Sequence, residues 1–136
     1  MAKLEDVEGI GPKYAAQLRK AGVKSTGSLL EMGATRAGRK EISKSSKISE
    51  KLILEWVNHV DLFRIKGIGE EFADLLEEAG VDSVPELAQR KPDNLLEAIQ
   101  KANSKNKNKL VRRKPGLTQI KNWVSQAKKL KKIVTH

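Results

Sequence analysis

A seventeen-residue pattern occurs twice in this chain, and the repetition constrains the fold more than any other feature. VEGIGPKYAAQLRKAGV at residues 7–23 returns as IKGIGEEFADLLEEAGV at 65–81, an offset of 58. Gly9-Ile10-Gly11 pairs with Gly67-Ile68-Gly69, Ala15 with Ala73, Leu18 with Leu76, Ala21-Gly22-Val23 with Ala79-Gly80-Val81, and Leu30 with Ala88. Trp56-Val57 then pairs with Trp123-Val124 at an offset of 67, which gives the second copy nine extra residues. They fall most naturally in the polar stretch KANSKNKNK. Agreement of spacing and residue type over so many positions argues for an internal duplication. The expected units are residues 1–60 and 61–136, each near the lower size limit for a single hydrophobic core.

The apolar spacing within each copy is helical. Tyr14, Leu18 and Ala21 share one face, as do Phe72, Leu75, Leu76 and Ala79, and no sustained period-two run suggests a strand. Gly22 and Gly80 stand where helices stop. Ser83-Val84-Pro85-Glu86 reads as a capping box with proline in the first turn. Ser49-Glu50 opens another helix ahead of Leu52, Ile53, Trp56, Val57 and Val60. Thr118 or a neighbour opens the last one, with Leu117, Ile120, Val124, Ala127 and Leu130 as its apolar stripe. Trp56 and Trp123, matched on apolar faces, belong to the core, and His59 is expected as a surface helix residue. The fold class is therefore all-α, with five short helices per copy and a polar loop near 103–109.

What the Gly-Ile-Gly turn does has two answers. It can be only a tight corner between helices. Alternatively, it presents amides to an anion, because the first N–H groups of a helix lack intrahelical partners and the macrodipole adds positive potential there. Glycine at 9 and 11 keeps side chains out of the way. Neighbouring residues separate the copies. Gly11-Pro12-Lys13 adds a proline preset for the helix and a lysine, with Arg19, Lys20 and Lys24 further along; Gly69 is followed by Glu70 and Glu71, then Asp74, Glu77 and Glu78, which repel phosphate. The expected contacts are Gly9, Ile10, Gly11, Lys13 and Lys20, with a weaker set at Lys66, Gly67, Ile68 and Gly69.

The net charge of +10 is unevenly distributed. Residues 1–60 hold 11 Lys/Arg and 7 Asp/Glu, residues 61–100 hold 4 and 10, and residues 101–136 hold 12 and none. Such a basic end favours a polyanion over a merely solvated face, which ordinarily mixes signs. Lys105, Lys107 and Lys109 in the expected loop, Arg112, Arg113 and Lys114 after it, and Lys121, Lys128 and Lys132 on the last helix form the second expected contact surface.

The segments from Val7 to Leu18 and from Ile65 to Leu76 resemble helix-hairpin-helix motifs, which bind nucleic acid without reading sequence. The stretch from GIGPKYAAQLRKAGV to KLILEWV resembles the N-terminal domain of RadA-type recombinases and the C-terminal repeats of NusA. That likeness implies a five-helix, SAM-like unit in which KISE at 47–50 and KPGLTQ at 114–119 are degenerate hairpins. The tandem as a whole is similar to the domain of unknown function 4332 family, which implies no particular activity.

Catalysis finds little support in the sequence. Cysteine is absent, there is no Gly-Lys-Ser/Thr phosphate loop, and neither His59 nor His136 has a recognisable nucleophile or ligand partner. No cofactor or metal is expected. No stretch approaches the roughly 20 apolar residues of a membrane span, so no membrane partner is expected and the cytoplasm is the expected compartment, with nucleoid association if the source is bacterial. The leading expectation is sequence-independent binding of nucleic acid, DNA ahead of RNA. The competing one is a protein-interaction adaptor that uses the acidic helix at 70–79.

Overall fold

The computed structural model describes residues 3–7, 9–105 and 115–135. These are all-helical, with no strand among the described residues. One 3-10 turn, Leu4–Asp6, precedes α1 (Pro12–Lys20), α2 (Thr26–Gly33), α3 (Arg36–Ser46), α4 (Glu50–Leu62), α5 (Glu70–Glu78), α6 (Val84–Gln89), α7 (Pro92–Lys105) and α8 (Leu117–Lys129). Where five helices per unit were expected, the described residues give four α-helices to each, with the 3-10 turn as a fifth element in the first.

The chain divides into two compact units, Met1–Asp61 with Lys132–His136, and Leu62–Lys131. The return of the C-terminal end to the first unit corrects the simple division at residue 60. In the first unit α1 and α2 pack on α3, and the buried apolar residues include Leu4, Val7, Ile10, Leu18, Leu29, Ile42, Ile53 and Val57. The returning segment is tied down by Thr135, whose N–H donates to the Ala34 carbonyl at 2.8 Å and whose carbonyl accepts from Arg39 Nη2 at 2.6 Å, while Val134 is 2% exposed. In the second unit α8 packs on α6 and α7, and α5 on α7, around Leu62, Ile65, Leu76, Leu87, Leu95, Ile99, Ile120 and Trp123.

Local sequence accounts for the helix boundaries. Ser25, Thr35 and Ser83 each accept a hydrogen bond from the backbone N–H three residues on, and Ser49 does the same for Leu52 at 3.2 Å. Ser83 caps as expected, but the Glu86 carboxylate accepts from Arg90 Nε at 3.2 Å rather than completing a reciprocal box. Helices α1 and α5 end in the same way. Val23 N–H donates to the Leu18 carbonyl and Gly22 N–H to that of Arg19; Val81 donates to Leu76 and Gly80 to Glu77. This is a Schellman closure, with Gly22 at φ +92° and Gly80 at φ +96°.

Two expectations fail here. The polar loop does not begin at residue 103, because α7 runs through Lys105 and Asn103 is fully buried. Asn103 extends the inward stripe of Leu95, Ile99 and Ala102, and helical periodicity overrides its polarity. His59 is 5% exposed rather than on the surface, since residues 56–62 are buried on every side of α4.

Candidate nucleic-acid interface

The corner ahead of α1 is built from three adjacent roles. Gly9 has φ +90°, in the region that favours glycine. Ile10 turns inward, 3% exposed, and its N–H donates to the Val7 carbonyl at 3.0 Å. Gly11 is the N-cap of α1, contributes no capping side chain, and a Cβ placed on it would meet nothing within 4 Å. The first intrahelical bond is Ala15 N–H to the Gly11 carbonyl at 2.9 Å. Helix geometry therefore leaves the amides of Gly11, Lys13 and Tyr14 outside the ladder, at the positive end of the dipole. Gly9, Gly11, Pro12 and Lys13 are all exposed.

Beneath the corner lies the tryptophan of α4. A Cβ on Gly9 would stand 3.3 Å from Trp56 Nε1, and the Trp56 ring lies 5.2 Å from that of Tyr14, tilted by 59°. The corner ahead of α5 repeats the arrangement. Gly67 has φ +96°, Ile68 is 4% exposed and donates to Ile65 at 3.1 Å, and Gly69 is an N-cap without a capping side chain. Trp123 lies under Gly67, with its ring 5.1 Å from Phe72 and tilted by 57°. One further clamp occurs here. Gln126 accepts from Lys66 N–H at 2.8 Å and donates Nε2 to the Lys66 carbonyl at 3.2 Å.

The turn from α3 to α4 uses the same sequence of roles with other residues. Lys47 is left-handed at φ 63°, Ile48 is 3% exposed, and Ser49 supplies the cap. Ahead of α8, buried Pro115 precedes Gly116, which is again an N-cap without a side-chain bond.

The expected contact residues fare differently. Gly9, Gly11, Lys13 and Lys20 are exposed on the first unit, as are Lys66, Gly67 and Gly69 on the second. Ile10 and Ile68 are withdrawn as contacts, because their side chains are core and their N–H groups are already bonded. Lys121 and Lys128 are exposed on α8, but Lys132 is not their helical neighbour: α8 ends at Lys129, and Lys132 belongs to the segment that returns to the first unit. Leu130 is the C-cap, extended at ψ 135°, and stops the helix before the third lysine. Lys107, Lys109, Arg112, Arg113, Lys114 and the Lys105 side chain lie outside the described residues.

Sequence reasoning missed what occupies Arg19. Its guanidinium forks onto Glu5, with Nη2 2.7 Å from Oε1 and Nη1 3.1 Å from Oε2. The Arg19 hydrogen bond holds the Glu5 carboxyl below its ordinary range, and Glu5 in turn raises the Arg19 value. Arg19 is thus already engaged by a carboxylate. Fourteen residues separate the pair, and no helical spacing announces it.

Helix α5 carries the opposite charge to α1 on the same frame. Glu70 and Glu71 occupy the first turn of α5, and these two with Glu77 and Glu78 are exposed. No helix among the described residues is long and apolar enough to cross a membrane.

An all-helical chain with exposed, side-chain-free helix starts at Gly11 and Gly69 is the class that these features define. The chain belongs to the family described as domain of unknown function DUF4332, whose model matches residues 8–130. No curated protein and no solved structure matches it significantly.

Proposed function

We propose that the chain is a tandem of two helix-hairpin-helix units that binds nucleic acid without sequence preference, gripping phosphates rather than bases, with DNA ahead of RNA. The observation that carries this reading is the open corner at Gly9–Lys13. Three amides outside the helical ladder, a glycine N-cap with empty space around it and an exposed lysine suit an anionic oxygen. The basic C-terminal end, with 12 Lys/Arg and no acid over residues 101–136, supports the same partner. Sequence-independent binding follows from contacts that reach phosphates only. Such a protein acts as an architectural or accessory component rather than an enzyme, and works in the cytoplasm, on the nucleoid if the source is bacterial.

The acidic face of α5 favours a second reading for that part of the molecule, an adaptor surface for a basic protein. Glu70, Glu71, Glu77 and Glu78 repel phosphate from a corner whose backbone otherwise matches the first.

One titration tests both readings. Binding to duplex, single-stranded and branched DNA is measured at several salt concentrations for the wild type, Lys13→Glu and Glu71→Lys, which exchange charge at matched positions. With about six phosphates neutralised, the log–log salt slope on duplex DNA is near −5. Lys13→Glu weakens binding about tenfold, equivalent to 1.4 kcal/mol, and Glu71→Lys strengthens it. A flat salt response, or indifference to both substitutions with the fold intact, leaves the adaptor reading in possession.

A further inference from the structure

Helix α3 carries a charge arrangement that the corner contact does not use. Arg36, Lys40 and Lys44 are exposed and recur at intervals of four, and exposed Lys47 follows at the C-cap. At 100° per residue the first three sweep an arc of about 80° while rising about 12 Å along the axis. The inward side of the helix is Arg39, Ile42 and Ser46, all buried. Glu41 is the one acid of α3 and falls outside the arc. Among the described residues, none of the four cations forms an ion pair.

The helix itself does not explain this stripe. Like charges four residues apart repel. Arg36 stands in the first turn, where the macrodipole disfavours a cation, and that turn contains no acid to offset it. Arg36 also acts on buried Arg39, whose pKa is lowered by burial first and by the Arg36 charge second. Nor does the fold demand a basic face here. The third helix of the second unit, α7, exposes Asp93, Asn94, Glu97, Gln100 and Lys101, and there Lys101 Nζ lies 3.8 Å from the Glu97 carboxylate. Where α7 mixes signs and pairs them, the stripe on α3 repeats one sign, and among the described residues none of its four cations is paired.

We infer that the exposed face of α3, through Arg36, Lys40, Lys44 and Lys47, is a second nucleic-acid contact of the first unit, laid along the phosphates of one strand of a duplex. This rests on the reading of the chain as a nucleic-acid binder and adds to it a contact surface and a substrate form. A rise of about 12 Å spans three to four phosphates at roughly 3.4 Å of axis per strand charge. Helix α3 has no Asn or Gln to read base edges and no aromatic residue on which an unpaired base could stack. Lysines are flexible point charges that suit phosphate oxygens.

The test compares the wild type with Arg36→Gln/Lys40→Gln/Lys44→Gln on a short mixed-sequence duplex, by anisotropy across a salt series and by thermal melting. Each lost contact lowers the magnitude of the salt slope by about 0.9, so the triple variant loses about 2.7 and binds at least tenfold more weakly at low salt. Its melting temperature stays at or above that of the wild type, because repulsion has been removed. Lys91→Gln, at the exposed residue just ahead of α7, serves as the control and leaves slope and affinity unchanged. Should the triple variant unfold, the single variants Lys40→Gln and Lys44→Gln each lose about 0.9 of slope. A wild type that binds with a steep slope, beside folded α3 variants that bind equally well, overturns the α3 contact and leaves the proposed function standing. A wild type without salt-dependent binding overturns the proposed function, and the α3 contact falls with it.

Discussion

The two units share a backbone arrangement at their corners and differ in the charge of the helix that follows. At both corners a glycine at positive φ sits over a tryptophan, a buried isoleucine donates three residues back, and a glycine opens the next helix. The bonds correspond one for one: Val7 to Leu4 and Ile65 to Leu62, Ala15 to Gly11 and Ala73 to Gly69, Val23 to Leu18 and Val81 to Leu76. On that common frame α1 presents Lys13 and Lys20 where α5 presents Glu71 and Glu78. The comparison separates two kinds of constraint. Gly, Ile and Trp answer to the geometry of the turn, whereas the exposed positions are indifferent to it and are free to differ in charge.

If the frame is common, breaking it should harm both units, and the closer contact should fail harder. Gly67→Ala forces an alanine to φ +96° and sets its Cβ 2.9 Å from Trp123 Nε1; Gly9→Ala has φ +90° and 3.3 Å to Trp56 Nε1. The dihedral alone costs about 1–3 kcal/mol, and displacing a buried indole adds about 1–3 kcal/mol of overpacking. Gly67→Ala should therefore lose about 4 kcal/mol and Gly9→Ala about 2 kcal/mol. Urea melts followed by fluorescence check this, because each unit holds one tryptophan and single-tryptophan variants report the two separately. Equal losses, or no loss, would show that the corners are not held by the same contacts.

One feature of the first unit has no counterpart in the second, the C-terminal segment that returns to it. Arg39 is 4% exposed and donates to the carbonyls of Gly33 at 2.9 Å, Ala34 at 3.2 Å and Thr135 at 2.6 Å. Truncation after Lys131 removes the third acceptor and exposes the site of Val134. Losing a buried valine contact and an acceptor of a buried charge amounts to about 2–3 kcal/mol. That loss should appear in the Trp56 signal and leave the Trp123 signal unchanged. A shift in both signals would erase the distinction between the units on this point.

Much of this was legible in the sequence, and the failures have identifiable causes. The 58-residue repeat of Gly-Ile-Gly, the glycines that close α1 and α5, and the capping serines at 49 and 83 all act through local geometry, which a short window contains. The burial of Trp56 and Trp123 followed from helical periodicity. Polarity misled at Asn103, where the inward register of α7 outweighs the character of one side chain. Lysine spacing misled at Lys132, because Leu130 leaves the helical conformation two residues earlier. The Arg19–Glu5 fork and the bonds between Thr135 and Ala34 join residues far apart in the chain, and only the tertiary structure brings them together. At the corner itself, the repeat marked Gly9 and Gly11, which the structure gives a positive φ and a helix N-cap, but could not show that Ile10 spends its amide on Val7.

The smallest effect expected is also the one that links the frame to the charge. Arg19 and Glu5 have Glu77 and Phe63 at the positions 58 residues on, so the second unit has no equivalent pair. Glu5→Gln removes the carboxylate and releases the guanidinium in the last turn of α1. Because Arg19 lowers the Glu5 pKa, the pair contributes stability above the ordinary carboxylate range and loses it as pH falls through the lowered value. The wild type should thus be slightly more stable than the variant at neutral pH, and the difference should vanish on acidification. Both groups are exposed, so the loss is small. Binding should move the other way. With one acid gone and one arginine freed, the magnitude of the salt slope on duplex DNA should rise by up to about 0.9. Equal stability of the two proteins at every pH would mean that the fork is idle. A stability difference without any gain in binding would mean that Arg19 serves only the frame, and that the basic character of α1 rests on Lys13 and Lys20 alone.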